Sequence, residues 1–139
     1  MVDNEQYRIG LNEMKLNIPI PQIIADSYAF WLGRAKASEF LLDGKLFNPH
    51  EALSCGLINE VVEVDQLLPQ AELKMKAYTA ANSATFQSIK ASIRNSLIKE
   101  LPQQAAFDQE QKRTSEIWWH PSMRTQMGNY INWLKTKNK

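Results

Sequence analysis

The chain has 139 residues, 44% of them hydrophobic and 22% charged, with a formal net charge of +1. That is about one globular domain with enough apolar material for a core, and its near-neutral charge gives no reason to expect nucleic acid or an anionic membrane as partner. No apolar run approaches the ~20 residues of a membrane-spanning helix, and MVDNEQYRIG lacks the basic-then-apolar order of a secretory signal.

The first patterned stretch is Tyr7 to Pro21, YRIGLNEMKLNIPIP. Apolar residues fall at Tyr7, Ile9 and Leu11, then switch parity to Met14, Leu16, Ile18 and Ile20. A period of two predicts extended chain, and the switch predicts a bulge or corner at Asn12–Glu13. Glu13 keeps the parity of Tyr7, Ile9 and Leu11, so an unbroken strand aims its carboxylate at the apolar side. Such a carboxylate must be hydrogen-bonded, paired or protonated, which makes it a candidate base. The plainer alternative is a solvated Glu beside a turn.

Pro19 and Pro21 end the extended stretch, and Pro21 suits the first turn of a helix. Ile23, Ile24, Tyr28, Trp31 and Leu32 form a helical stripe that stops at Gly33. A second helix is predicted over Ala35 to Leu42, ended by Gly44. Asn48-Pro49-His50-Glu51 then starts a short helix: Asn48 caps it, Pro49 pre-sets its first turn, and Glu51 returns a bond to the cap backbone. That helix ends at Gly56, and Leu57 to Val64 reads as a short β segment.

From Asp65 onward the pattern is helical. Asp65 caps a helix with the stripe Leu68, Ala71, Met75 and Tyr78, and Asn82 or Ser83 caps one carrying Phe86, Ile89, Ile93 and Leu97. Pro102 marks the junction to a polar helix from about Gln103 to Trp118. Trp119-His120-Pro121-Ser122 breaks it. The last helix presents Met123, Met127, Tyr130, Ile131 and Leu134, and the tail from Lys135 to Lys139 is expected to fray.

The residue types that usually announce chemistry are sparse. Cys55 stands alone, which excludes an internal disulfide and reads as a small buried hydrophobe. His50 and His120 are far apart, so no metal site is expected. Trp118 and Trp119 suit either an acyl pocket or a helix corner.

Taken together, two stretches resemble the enoyl-CoA hydratase/isomerase (crotonase) superfamily. Gly33 to Val62, GRAKASEFLLDGKLFNPHEALSCGLINEVV, resembles the segment that follows the family's active-site strand. Its matching features are Arg34-Ala35 with Glu39, Leu41 with Asp43-Gly44-Lys45, Pro49 with Glu51-Ala52-Leu53, and the Gly56-to-Val62 run. Gly10-Leu11-Asn12-Glu13, with a hydrophobic hairpin expected down to Pro19, resembles the family's second catalytic segment. The Asn12-Glu13 pair is similar in particular to Δ3,Δ2-enoyl-CoA isomerases, whereas hydratases commonly carry Pro before that Glu.

The resemblance implies an α/β crotonase-like fold, its C-terminal part only, with short β segments followed by a mainly α-helical region. Residues 1–64 would end the core and carry the second catalytic segment; 65–139 would be a helical, trimerisation-type region. It implies that Glu13 takes a proton from C2 of a 3-enoyl-CoA and returns it at C4, in fatty-acid β-oxidation. Asn12 would lie along the acyl thioester, with Leu11, Ile18 and Trp118 as further substrate contacts. No cofactor is implied, because coenzyme A belongs to the substrate. The implied partners are an acyl-CoA thioester and copies of the same chain, as a trimer or dimer of trimers. The implied compartment is the bacterial cytoplasm, or the mitochondrial or peroxisomal matrix in a eukaryote.

In the family, two backbone N–H groups hold the enolate oxygen, and the resemblance places both before this stretch. Each such donor is typically worth ~10² to 10³ in rate, so this chain unaided is expected to be nearly inactive. The alternatives are an enoyl-CoA hydratase or other crotonase-family enzyme, and a non-catalytic oligomerisation or binding module.

Overall fold

A two-stranded antiparallel ribbon joins the front of the chain to its middle, with helices packed around it. The computed structural model describes residues 1–100 and 104–137. Strand β1 (Ile9–Gly10) pairs with β2 (Leu46–Phe47), Ile9 opposite Phe47 and Gly10 opposite Leu46. Gly10 has φ 148°, and a Cβ there would run into the Lys45 carbonyl oxygen, so only glycine lets the strands approach this closely. The helices between the strands are α1 (Glu13–Leu16), α2 (Gln22–Leu32) and α3 (Arg34–Asp43). After β2 come α4 (Pro49–Cys55), a 3-10 turn (Val64–Gln66), α5 (Leu67–Thr79), α6 (Ser83–Glu100), α7 (Gln104–Trp119) and α8 (Pro121–Lys137).

The core sits where α3, β2 and α4 meet. Phe40, Phe47 and Ala52 are buried together, with Ile9, Tyr28, Leu32, Cys55, Leu57 and Ile58 partly buried against them. The Phe40 and Phe47 rings meet edge to face with centroids 4.8 Å apart, a favoured aromatic geometry. Asn48 starts α4 with both bonds of a capping box: its side chain accepts from the Glu51 N–H, and Glu51 accepts from the Asn48 N–H. Helix ends at Gly33, Gly44 and Gly56 fall where glycine was expected to stop them.

Three expectations are corrected. Met14 to Ile20 forms neither a strand nor a hairpin: Glu13–Leu16 is one helical turn, closed by Asn17 in the left-handed conformation at φ 53°. Alternation over four residues also fits a single helical turn, and Asn tolerates the left-handed conformation that ends it. Leu57 to Val64 forms no strand; Val62 alone makes a parallel bridge, to Val2. Asp65 lies inside the 3-10 turn rather than capping α5. The junction at Pro102 and the end of the tail at 138–139 lie outside the described residues, while Lys135–Lys137 continue α8.

The stripes of α5 and α6 are largely uncovered. Leu68, Met75, Ile89 and Ile93 are all more than half exposed. On α8, Met123 is buried and Met127 and Tyr130 are half-buried.

Candidate functional site

Glu13 opens α1, immediately after the turn that leaves β1. The turn is packed down on the end of α3, where Gly44 adopts φ 53°. A Cβ at Gly44 would lie 3.4 Å from the Asn12 Cα and 3.2 Å from the Lys15 Cγ, so glycine both ends α3 and lets α1 settle against it. After Asn17 the chain doubles back, and the Ile18 N–H donates to the Glu13 carbonyl at 3.0 Å. Ile18 is thereby brought over the residue five positions before it.

The result is an apolar pocket of about 220 Å³ lined by Leu11, Glu13, Met14, Ile18, Pro19, Ile20, Leu41 and Leu42. Among the described residues, Glu13 is its only titratable lining residue. Its Oε2 is buried and has no hydrogen-bond partner among the described residues. A carboxylate oxygen buried without a hydrogen bond of its own is costly to keep, which sets Glu13 apart from a solvated surface carboxylate.

Of the residues singled out in the sequence, Leu11, Glu13 and Ile18 therefore meet in one pocket. Asn12 adjoins them as the residue before α1, with its carbonyl accepting from the Lys15 N–H at 3.0 Å, but does not line the cavity. Trp118 lies elsewhere, on α7, in a groove with Trp119, Arg124 and Met127. Among the described residues no group of His, Cys, Asp and Glu is arranged to hold a metal ion.

The walls supplied by Leu41 and Leu42 had no signal in the sequence, because they come from α3, nearly thirty positions beyond Glu13. Tyr28 was also not foreseen as a neighbour. Burial raises its phenol above the ordinary value of 10.0, and negative charge on Cys55 and on Glu13 adds to the effect. Two further side chains reach the pocket segment from the far end of the chain: Glu110 of α7 accepts from the Gln22 N–H, and Gln126 of α8 donates to the Leu16 carbonyl.

The family profile described as enoyl-CoA hydratase/isomerase matches residues 1–137. The rat protein "Enoyl-CoA delta isomerase 1, mitochondrial" is 35% identical over 137 residues, 99% of this chain and 47% of that protein. Its human counterpart is 32% identical over 108 residues, 78% of this chain and 36% of that protein. The crystal structure of human mitochondrial Δ3-Δ2-enoyl-CoA isomerase superposes with a TM-score of 0.84 at 27% identity, covering all of this chain and 53% of that one. A carnitinyl-CoA dehydratase from Mycobacterium avium shares the fold with a TM-score of 0.67 at 23% identity, over 88% of this chain and 48% of that one. The chain thus spans about half the length of the curated relatives it matches. Its fold is crotonase-like, represented by a mostly helical region and a short two-stranded sheet. With 137 of its 139 residues matched, the chain belongs to the enoyl-CoA hydratase/isomerase family.

Proposed function

We propose that this chain supplies the proton-transferring base of an enoyl-CoA isomerase, and that Glu13 is that base. The observation carrying the reading is that Glu13 lines an apolar pocket and has, among the described residues, a buried Oε2 without a hydrogen-bond partner. Enzymes of this family need no cofactor beyond the coenzyme A of the substrate.

On this reading Glu13 removes a proton from C2 of a 3-enoyl-CoA, and the electron pair spreads over the dienolate. Glu13 then delivers the same proton to C4, leaving the double bond between C2 and C3 and the carboxylate restored. One carboxylate suffices because it reaches both carbons. Leu11 and Ile18 wall the acyl chain, and Asn12 flanks the thioester. Trp118, in its separate groove, is not part of this acyl pocket. Dienolate stabilisation falls to backbone donors other than those of the Glu13 segment, with residues 1–64 closing the core and 65–139 forming the helical region. The names of the 35% identical relatives support double-bond isomerisation and a mitochondrial setting, and a place in β-oxidation belongs to the same proposal. The uncovered stripes of α5 and α6 support assembly with further copies of the chain, as a trimer or dimer of trimers.

The deciding variant is Glu13→Gln in the full-length protein. Isomerisation of a 3-enoyl-CoA is expected to fall at least 10²-fold, in line with loss of a general base, while affinity for the CoA ester stays within about twofold. Normal turnover by this variant would remove Glu13 from the mechanism.

A further inference from the structure

Residues 17–21 form one wall of the pocket through Ile18, Pro19 and Ile20, yet the segment has little hydrogen bonding of its own. Pro19 and Pro21 have no N–H to give, and Ile18 spends its N–H on Glu13. Both ends are held from far along the chain. At the near end the Leu16 carbonyl, at the last residue of α1, accepts from Gln126 Nε2 at 2.8 Å, 110 positions away. At the far end the Gln22 N–H, the first of α2, donates to Glu110 Oε1 at 2.7 Å, 88 positions away. Pro21 precedes α2 and makes no side-chain cap, so Glu110 caps the helix from outside with a charge-assisted bond. The other oxygen of Glu110 is shut off from solvent and has no partner among the described residues. Helices α7 and α8, which carry the two side chains, pack on each other.

We infer that Gln126 and Glu110 are positioning residues: acting through the backbone at Leu16 and Gln22, they fix the pocket wall relative to Glu13. Their effect falls on proton transfer, which tolerates little displacement, rather than on affinity for the thioester. The link to proton transfer rests on Glu13 being the base; the clamp on the wall does not.

The test uses the full-length protein with Gln126→Met and Glu110→Met, and with Glu110→Gln, which keeps an oxygen acceptor in place. Amide hydrogen exchange at Ile18 and Gln22 is expected to rise roughly fivefold in the Met variants, with Ala37 in α3 unchanged and Glu110→Gln close to the parent. In 3-enoyl-CoA turnover, kcat is expected to fall roughly tenfold in the Met variants with KM within about twofold, and Glu110→Gln to restore most of it. Unchanged exchange at Ile18 and Gln22, or acceleration equal to that in α3, overturns the clamp. A raised KM with unaltered kcat overturns the positioning role. A parent protein that does not isomerise enoyl-CoA at all refutes the base assignment instead, and the exchange rates alone then decide whether the clamp exists.

Discussion

Tyr28 ties the site to the core at the scale of single residues. It packs against the Phe40, Phe47 and Ala52 cluster from α2, and its phenol responds to the charges of Cys55 and Glu13. Burial is the larger cause of its raised pKa, so the folded protein holds this proton more tightly than the unfolded chain. The linkage sign follows. The stability that Tyr28 contributes is complete below the ordinary phenol value and drains away as pH rises through the higher folded value. Tyr28→Phe is therefore expected to flatten the loss of stability above about pH 10. Denaturant midpoints measured across the alkaline range check this, and an undiminished slope in the variant would exclude Tyr28 as its source.

At the scale of elements, α4 shows most plainly how local sequence becomes structure. Its capping box satisfies an orphan N–H at the helix start and ties back the backbone of Asn48, next to the buried Phe47. Asn48→Ala is expected to cost about 1 kcal/mol, read as a lower denaturation midpoint at constant m-value. A change below about 0.3 kcal/mol would mean that packing of Pro49 and Ala52 holds the helix without its cap. Signals of this kind were legible in the sequence: α2, α3 and α4 lie where stripes, caps and glycines put them. The short extended pieces were not. Met14 and Leu16 alternate in a way that a single helical turn satisfies equally, and Leu57 to Val64 is β-prone but finds one bridging partner, Val2. Glu13 was legible as a constrained carboxylate, though its burial comes from a turn rather than from strand parity. Leu41, Leu42, Glu110 and Gln126 were invisible because their roles depend on distant segments meeting.

For the molecule as a whole, the exposed apolar surface raises a question that the buried core does not answer. Ile89 and Ile93, one helical turn apart on α6, are 55% and 57% exposed. Assembly with further copies is the proposed cover, so sedimentation of the full-length protein is expected to show an oligomer. Ile89→Lys combined with Ile93→Lys is expected to shift it toward monomer by placing two charges in a desolvated contact. A monomeric parent, or an oligomer untouched by both lysines, would count against α6 as the contact.

The two bonds that hold the ends of the pocket segment also set an order of events during synthesis. Gln22 leaves the ribosome 88 residues before Glu110, a wait of roughly 4–18 s at ordinary translation speed. Throughout that interval the apolar wall from Ile18 to Ile20 has neither of its distant anchors. The nascent chain thus holds this apolar wall without either end tied until the last two helices have been made.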